Sequence, residues 1–549
     1  MRWNGSPVLP GSWFVRVVWV ALLSFGASLP VSAADLLPAD RPVAEVIDHY
    51  IDATLAKAKI TAAPSANDEN LVRRVMLDLV GRIPTPVERR EFVDSKATDK
   101  LPQLVDRLLK SPEFVDHQVN EFDWMLMQGS GNLRDYLTTA FREGRTWEQM
   151  FRELLLADEV DPKAKPPIDF VKTRVKDLDR LTNDVSSLFF GVNISCAQCH
   201  DHPLAKDWKQ DHFYGLKSFV SRTYENGGFI GEKDYGLVSY LTPKGEQRQA
   251  KLMFLSGKLI DEPEKAEPDN KAKKAEQDEL KKRADKKEPP PKPSFSRRAK
   301  LVEVALQPEE RHFLARSIVN RIWARLIGYG LVMPVDQMHS GNPASHPELL
   351  DWLARDMAHS HFDLGRLMRG IVLSRTYARS SRWESSARPD AALFAVAQVR
   401  PLTPYQYGAA LKLATTDPDM WKTLKSADDV AKRASDTARA GRSWASLFQP
   451  VSDNFQVSVS ESLMMANDTR VMSEFLGDGG NQLVGRLKAI DNAEQQVECA
   501  VSTVLGRLPE AEERQAITGY LLSRKDRSID ALRQVVWSLI TGSEFRFNY

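Results

Sequence analysis

Apolar residues recur at three- and four-residue intervals over most of this chain, the spacing of one face of an α-helix. Leu71, Val75 and Leu79, then Phe92, Leu101, Leu104 and Leu108, mark helices in the first half. Pro84-Thr85-Pro86 interrupts them, and Thr85 is placed to cap the helix that follows. Another helix is predicted from Thr182 to Phe190, with Val185, Leu188 and Phe189 on one side and Gly191 just beyond. Between Tyr224 and Leu259 the texture changes. Gly227-Gly228 punctuates short apolar runs, Leu237 to Leu241 and Leu252 to Leu255, that read as a few strands. In the second half Ile318, Ile322 and Leu326, closed by Gly328 and Gly330, predict a helix. Leu349, Leu350, Leu353 and Met357 predict another, and Leu364 to Tyr377 a third. Such stripes are the faces that build a core.

The stretch 261–292 breaks this pattern. It is almost wholly Lys, Glu, Asp, Ala and Pro, has no aromatic residue, and runs out through Pro289-Pro290-Pro291-Lys292 into Pro293. Too little apolar surface is present to offset the entropy of ordering it. Glu and Lys at helical spacing give Ala272 to Lys287 the option of a solvated single helix. The expected fold class is therefore mainly α: two helical domains, a small β-containing segment, and a charged linker that is disordered or a single helix. The expected boundaries are a leader over 1–33, a helical domain over 34–222 and a β-rich segment over 223–260. A linker over 261–298 and a second helical domain over 299–549 complete the chain.

One motif occurs at both ends. Gly81-Arg82-Ile83-Pro84 leads to Glu88-Arg89, and Gly506-Arg507-Leu508-Pro509 leads to Glu513-Arg514 at the same spacing. Each unit runs on to a similar stop, Ser111-Pro112-Glu113-Phe114 and Gly542-Ser543-Glu544-Phe545. A helix–turn–helix unit used twice explains this, as a packing device with duplication as one origin.

Composition narrows the class. Of 549 residues 42% are hydrophobic and 27% charged, and 12 Trp and 23 Phe exclude a mostly disordered chain. A formal net charge of +1 offers no argument for nucleic acid as a partner. At the N-terminus, Arg2 and Arg16 precede the apolar run Val17 to Leu29, and Val31-Ser32-Ala33 offers small residues for cleavage. That is the form of a secretory signal peptide. The run is shorter than the roughly 20 residues a spanning helix needs, and Pro30 ends it. The expectation is export to the periplasm or the exterior, with no transmembrane span after cleavage.

Export makes Cys196-Ala197-Gln198-Cys199-His200 the most informative stretch, because it uses two of only three cysteines. In an exported chain CxxCH is the attachment signature of a c-type haem. Cys196 and Cys199 would form thioethers with the porphyrin vinyl groups, and His200 would reach the iron as axial ligand. Met253, Met333, Met338, His339 and His346 are candidates for the opposite face, among which the sequence does not choose. Asp201, His202, Asp207, Asp211 and His212 crowd the motif and keep a second reading open. There, Cys196 and Cys199 bind zinc with some of His200, His202 and His212, although a complete structural site usually shows a second pair. In a third, the cysteines form a local disulfide. His202 fits a structural hydrogen bond or a cluster with Asp201. Cys499, alone in sequence, reads as a buried apolar residue.

Phe190 to Ser195, the CxxCH and Asp201-His202-Pro203-Leu204, with the upstream Arg73-Arg74-Val75-Met76-Leu77-Asp78-Leu79, Gly81, Pro84 and Thr85, resemble the planctomycete cytochrome C-like domain two. The second half resembles the planctomycete-specific domain one that usually follows it. There the match runs through Asn320-Arg321-Ile322-Trp323, Gly328 to Val332, Pro334-Val335-Asp336, Asn342-Pro343 and Ser345 to Asp351. It ends at Ser543-Glu544-Phe545 and Phe547-Asn548. The resemblance implies a secreted protein without a settled activity, and carries over Cys196, Cys199 and His200 as haem residues. His212 stands where an acidic residue is expected, Tyr549 where histidine is common, and the charged linker is atypical.

Asn320, Arg321, Asp336, Asn342, Ser345, His346 and Glu348 either converge on a ligand or form a turn in which Ser345 and Glu348 make a capping box. The leading expectation is a cytochrome-like protein with haem c that exchanges electrons with a redox partner or performs haem redox chemistry. The alternative is an exported binding or scaffold protein with a structural zinc. No nucleophile elbow, zincin motif or phosphate loop supports a hydrolase.

Overall fold

The helix Asp68–Val80 has no solvent face: every residue from Leu71 to Val80 is buried, Arg73, Arg74 and Asp78 included. Asn67 caps its start and Gly81, at φ +69°, turns the chain out of it. In this computed structural model the described residues are 36–156, 166–203, 205–385, 387–451 and 455–549. The predicted leader over 1–33 lies outside them. Residues 37–549 pack as one unit, mainly α-helical, with strands confined to three two-stranded antiparallel sheets among the described residues.

Polar side chains on the buried helix join its half of the chain to the other. Both oxygens of Asp78 are occupied: Arg400 donates to them at 3.0 and 2.8 Å, the Tyr377 hydroxyl at 2.7 Å and Asn548 Nδ2 at 3.0 Å. One turn earlier Arg74 donates to the carbonyls of Tyr377, Arg379 and Tyr549. Arg73 donates to those of Phe545 and Phe547. The strand Phe547–Asn548 also pairs with Arg400–Pro401, so the last residues are held between a strand and this helix. Burial without such partners would be prohibitive for these charges.

The expected helices form, with adjusted ends. The helix before the motif runs Leu178–Phe190 and starts at an Asp177 cap. Thr85 caps Pro86–Asp94 in a full capping box with Glu88. The stretch predicted as one helix from Leu364 to Tyr377 is two, Leu364–Val372 and Arg375–Ala378, because Ser374 adopts an extended conformation and caps the second. Gly227 and Gly228 make the tight turn of a hairpin, Thr223–Asn226 with Phe229–Glu232. Ser239–Leu241 pairs with Gln247–Gln249, whereas Leu252 to Leu255 contributes only a bridge from Met253 to Leu259. The charged stretch forms the helix Asn270–Asp285, capped by Asp269 and with no buried residue. It rests on the hairpin: Asn226 donates to the Leu280 carbonyl at 2.9 Å, and Gly227 lies so close to Ala284 that a Cβ would meet its Cα at 2.8 Å.

The repeated motif has one geometry at both ends. Arg82 donates to both oxygens of Glu113 (2.6 and 3.0 Å) and both of Glu88 (2.8 and 2.7 Å). Arg507 does the same with Glu544 (2.6 and 2.6 Å) and Glu513 (2.7 and 2.8 Å). In each, the arginine also reaches the next residue's carbonyl, and the capping glutamate accepts the amide three residues before it. The environments differ. The Arg82 side chain is 0% exposed and that of Arg507 19%. Burial opposes the Arg82 charge, and the two glutamates overcome that and keep it protonated. Arg82→Ala should therefore destabilise the fold by roughly 3–5 kcal/mol, leaving two buried carboxylates unpaired. Arg507→Ala, where water reaches the orphaned glutamates, should cost about 1–2 kcal/mol in the same denaturation experiment.

Candidate functional site

Aromatic packing fixes where the cysteine motif starts. Phe189 and Phe190, at the end of Leu178–Phe190, are buried against Trp147, Phe151, Phe170 and Phe254. Gly191 then leaves the helix at φ +71°, with the Val192 amide donating back to the Ser186 carbonyl. A side chain at Gly191 would also meet Met338 Sδ at 2.8 Å, so both backbone and space call for glycine. Asn193 Oδ1 accepts the Ser195 amide and hydroxyl, which starts the short 3-10 helix Ser195–Gln198.

That turn buries Ala197 and leaves Cys196 and Cys199 exposed, both as free thiols. Gln210, buried at the start of the helix Gln210–Val220, holds the turn from below. Its amide nitrogen reaches the carbonyls of Cys199 at 3.1 Å and of Gln198 and Leu241 at 3.3 Å. Tyr214 donates its hydroxyl to the Gln198 carbonyl and stacks on Tyr240 at 4.1 Å. His200 is exposed, and its Nδ1 lies 2.7 Å from the Asp201 carbonyl. A carbonyl partner makes Nδ1 the donor, which leaves the Nε2 lone pair free for an electrophile or a metal.

The other two histidines near the motif are used by the backbone. His202 is buried, and its Nδ1 accepts the Ala205 amide at 3.0 Å. Burial lowers its pKa, with His339 and His200 adding to the shift. His212 Nδ1 accepts the Lys209 amide at 3.2 Å. His212 is the third residue of its helix, the position from which a glutamate closes a capping box, so it performs there what an acidic residue would. Among the described residues, no three His, Cys, Asp or Glu side chains group as they would around one metal ion.

A loop of the second half closes over the motif's flanks. Val192 bridges to Gln337, the Asn193 amide donates to the Asp336 carbonyl at 2.6 Å, and the Met338 amide to that of Gly191 at 3.0 Å. The Ser340 amide donates to the Asp207 carboxylate at 2.7 Å, and the His339 and His202 rings lie 6.0 Å apart. The polar residues singled out in the second half build this loop. Asn320 exchanges two hydrogen bonds with Val332, and Asn342 donates to the carbonyls of Met333 and Gln337. Arg321 reaches the Ser187 carbonyl at 2.6 Å. The expected Ser345 cap does not form: Ser345 donates to the Leu331 carbonyl, and His346 takes the cap position ahead of Pro347.

Of the five residues considered for the opposite side of a haem, Met338 and His339 lie at the motif. Met253 backs Gly215, Met333 lies near Gly330, and His346 packs on Phe394. Sequence patterning had no means of finding Gln210 or Tyr214, whose roles depend on where two helices meet.

The arrangement defines a mainly helical protein that displays a CxxCH turn on the outside and steadies it with a loop from its second half. Two stretches match family models in this order: residues 46–225 match PSCyt2, a protein of unknown function (DUF1549), and residues 297–419 match PSD1, a protein of unknown function (DUF1553). No curated protein and no solved structure matches it.

Cys196 and Cys199 should react with Ellman's reagent as free surface thiols. Cys499, half-buried and with its pKa raised by burial, should react at least about tenfold more slowly. His346 gives a second expectation. Burial pushes its pKa down to about 4 from 6.5. The folded state holds it neutral, while the unfolded chain takes up a proton, so the stability it supports is complete above pH 6.5. That stability falls away as pH drops towards 4, by about 3 kcal/mol at most. His346→Gln should flatten the stability–pH curve in that window, as read by denaturation at successive pH values.

Proposed function

We propose that this is an exported c-type cytochrome-like protein, with haem held covalently by Cys196 and Cys199 and ligated by His200. The observation that carries the reading is the donor set. Two free, exposed thiols with two residues between them are followed by a histidine whose Nδ1 is engaged by Asp201 and whose Nε2 is left for iron. The name of the family over 46–225, cytochrome-like in form, supports it, as does the pattern of the leader. Among the described residues no helix is long and apolar enough to cross a membrane.

When bound, haem supplies one-electron redox chemistry with a potential set by axial ligation, burial and hydrogen bonding. This chain's residues do the rest. The 3-10 turn presents the thiols, and Gln210 and Tyr214 keep its carbonyls from shifting. Asp201 orients the imidazole through its carbonyl. The exposed site suits exchange of electrons with a redox partner at the surface. In the alternative, an exported binding protein with a structural zinc, Cys196 and Cys199 would share a metal with His202 and His212. The backbone amides already bound to both Nδ1 atoms restrict those rings to Nε2.

The test is to express the full chain with cytochrome c maturation factors and record a pyridine haemochrome spectrum beside metal analysis. The expected result is a spectrum with both vinyl groups saturated, lost in Cys196→Ala with Cys199→Ala. Stoichiometric zinc with no covalent haem would sink the cytochrome reading.

A further inference from the structure

We propose that His339 is the second axial ligand of the haem carried at Cys196, Cys199 and His200, so that the PSD1 half completes a site in the PSCyt2 half. The inference rests on the haem reading above and adds a ligand to it.

Three observations point to His339. Its place is fixed: the loop around it is tied to the motif's flanks through Gly191, Val192, Asn193 and Asp207, two of these ties lying at Met338 and Ser340 on either side of it. Backbone bonds on both neighbours fix the direction of its Cα–Cβ bond. Its ring stands 6.0 Å from that of His202, two residues past His200. And its Nδ1 is buried without a hydrogen-bond partner, whereas the Nδ1 atoms of His202 and His212 each accept a backbone amide. A buried imidazole nitrogen with no partner forgoes what nearly every buried polar atom obtains. Ligation to a metal supplies that missing interaction.

The competing groups have other tasks. Met338 covers the helix end at Gly191, and its sulfur fills the space that a Cβ there would take. His346 lies against Phe394 within the second half, next to its own Ser345. Met253 packs against Gly215 of the helix that supports the turn. His339 is the remaining imidazole at the motif without an assigned bond.

Two nitrogen ligands hold haem iron in a six-coordinate, low-spin state that does not readily bind carbon monoxide. The test uses the full chain matured with covalent haem, its absorption and electron paramagnetic resonance spectra, and carbon monoxide added to the reduced protein. The parent should be low-spin and unreactive. His339→Ala should keep its pyridine haemochrome but turn high-spin and bind carbon monoxide, and added imidazole should restore the low-spin spectrum. His339→Gln, which keeps the length of the side chain, serves as a second variant should the alanine form melt early. His339→Met should stay six-coordinate with a raised reduction potential. A low-spin, unreactive His339→Ala protein, or the same change produced by Met338→Leu instead, overturns the assignment while leaving the haem reading intact. A parent protein without covalent haem overturns both.

Discussion

A carboxylate removed from water must have its lone pairs filled, and Asp78 obtains its donors from three segments far away in sequence. Tyr377, Arg400 and Asn548 reach it only if the second half of the chain has folded against the first. Arg73 and Arg74, on the same buried helix, impose the same condition through the carbonyls of the last residues. A charge that is stable only when distant parts are in place makes those parts form together. The Arg-Arg-x-x-x-Asp run near the start and the Phe-x-Phe-Asn run at the end are therefore two sides of one contact.

The rest of the architecture follows from that union. With the halves locked, Asn320, Arg321 and Asn342 can shape the loop after Gly330 and lay it beside the helix that ends at Gly191. The motif then sits between a rigid aromatic core and a backbone supplied by the other half. The charged helix Asn270–Asp285, which buries nothing, spans the connection while resting on the Gly227-Gly228 hairpin. The repeated arginine–glutamate unit shows how context alters one local design: the same bonds are sealed from water at Arg82 and partly wet at Arg507.

Much of this was legible in the amino-acid order because it depends on neighbours. The helix at Thr85 was readable from a cap-forming threonine at the Pro84-Thr85-Pro86 break, and the end of the helix at Gly328 from a glycine after an apolar stripe. The charged helix was readable as one of two options from its composition. The split at Ser374 was not: the stripe runs on, and only its capping hydroxyl marks the break. Ser345 and Glu348 have capping-box spacing, yet Pro347 moves the helix start onward and Ser345 turns to Leu331. His212 resembled a ligand because its residue type carries that chemistry, while its position at the third residue of a helix gives it a capping task.

The chain's order alone determined a mainly helical protein, the two ends that share a motif, and a pair of cysteines followed directly by a histidine. Such features arise from residues within a few positions of one another, where backbone geometry leaves few choices. Tertiary structure decided what those residues face. Nothing local to Cys196-Ala197-Gln198-Cys199-His200 brings Gln210 beneath it or His339 beside it, nor does anything local to Asp78 select Arg400 and Asn548. Those meetings depend on chain segments closing in space, and the burial of charge and aromatic surface selects which ones close.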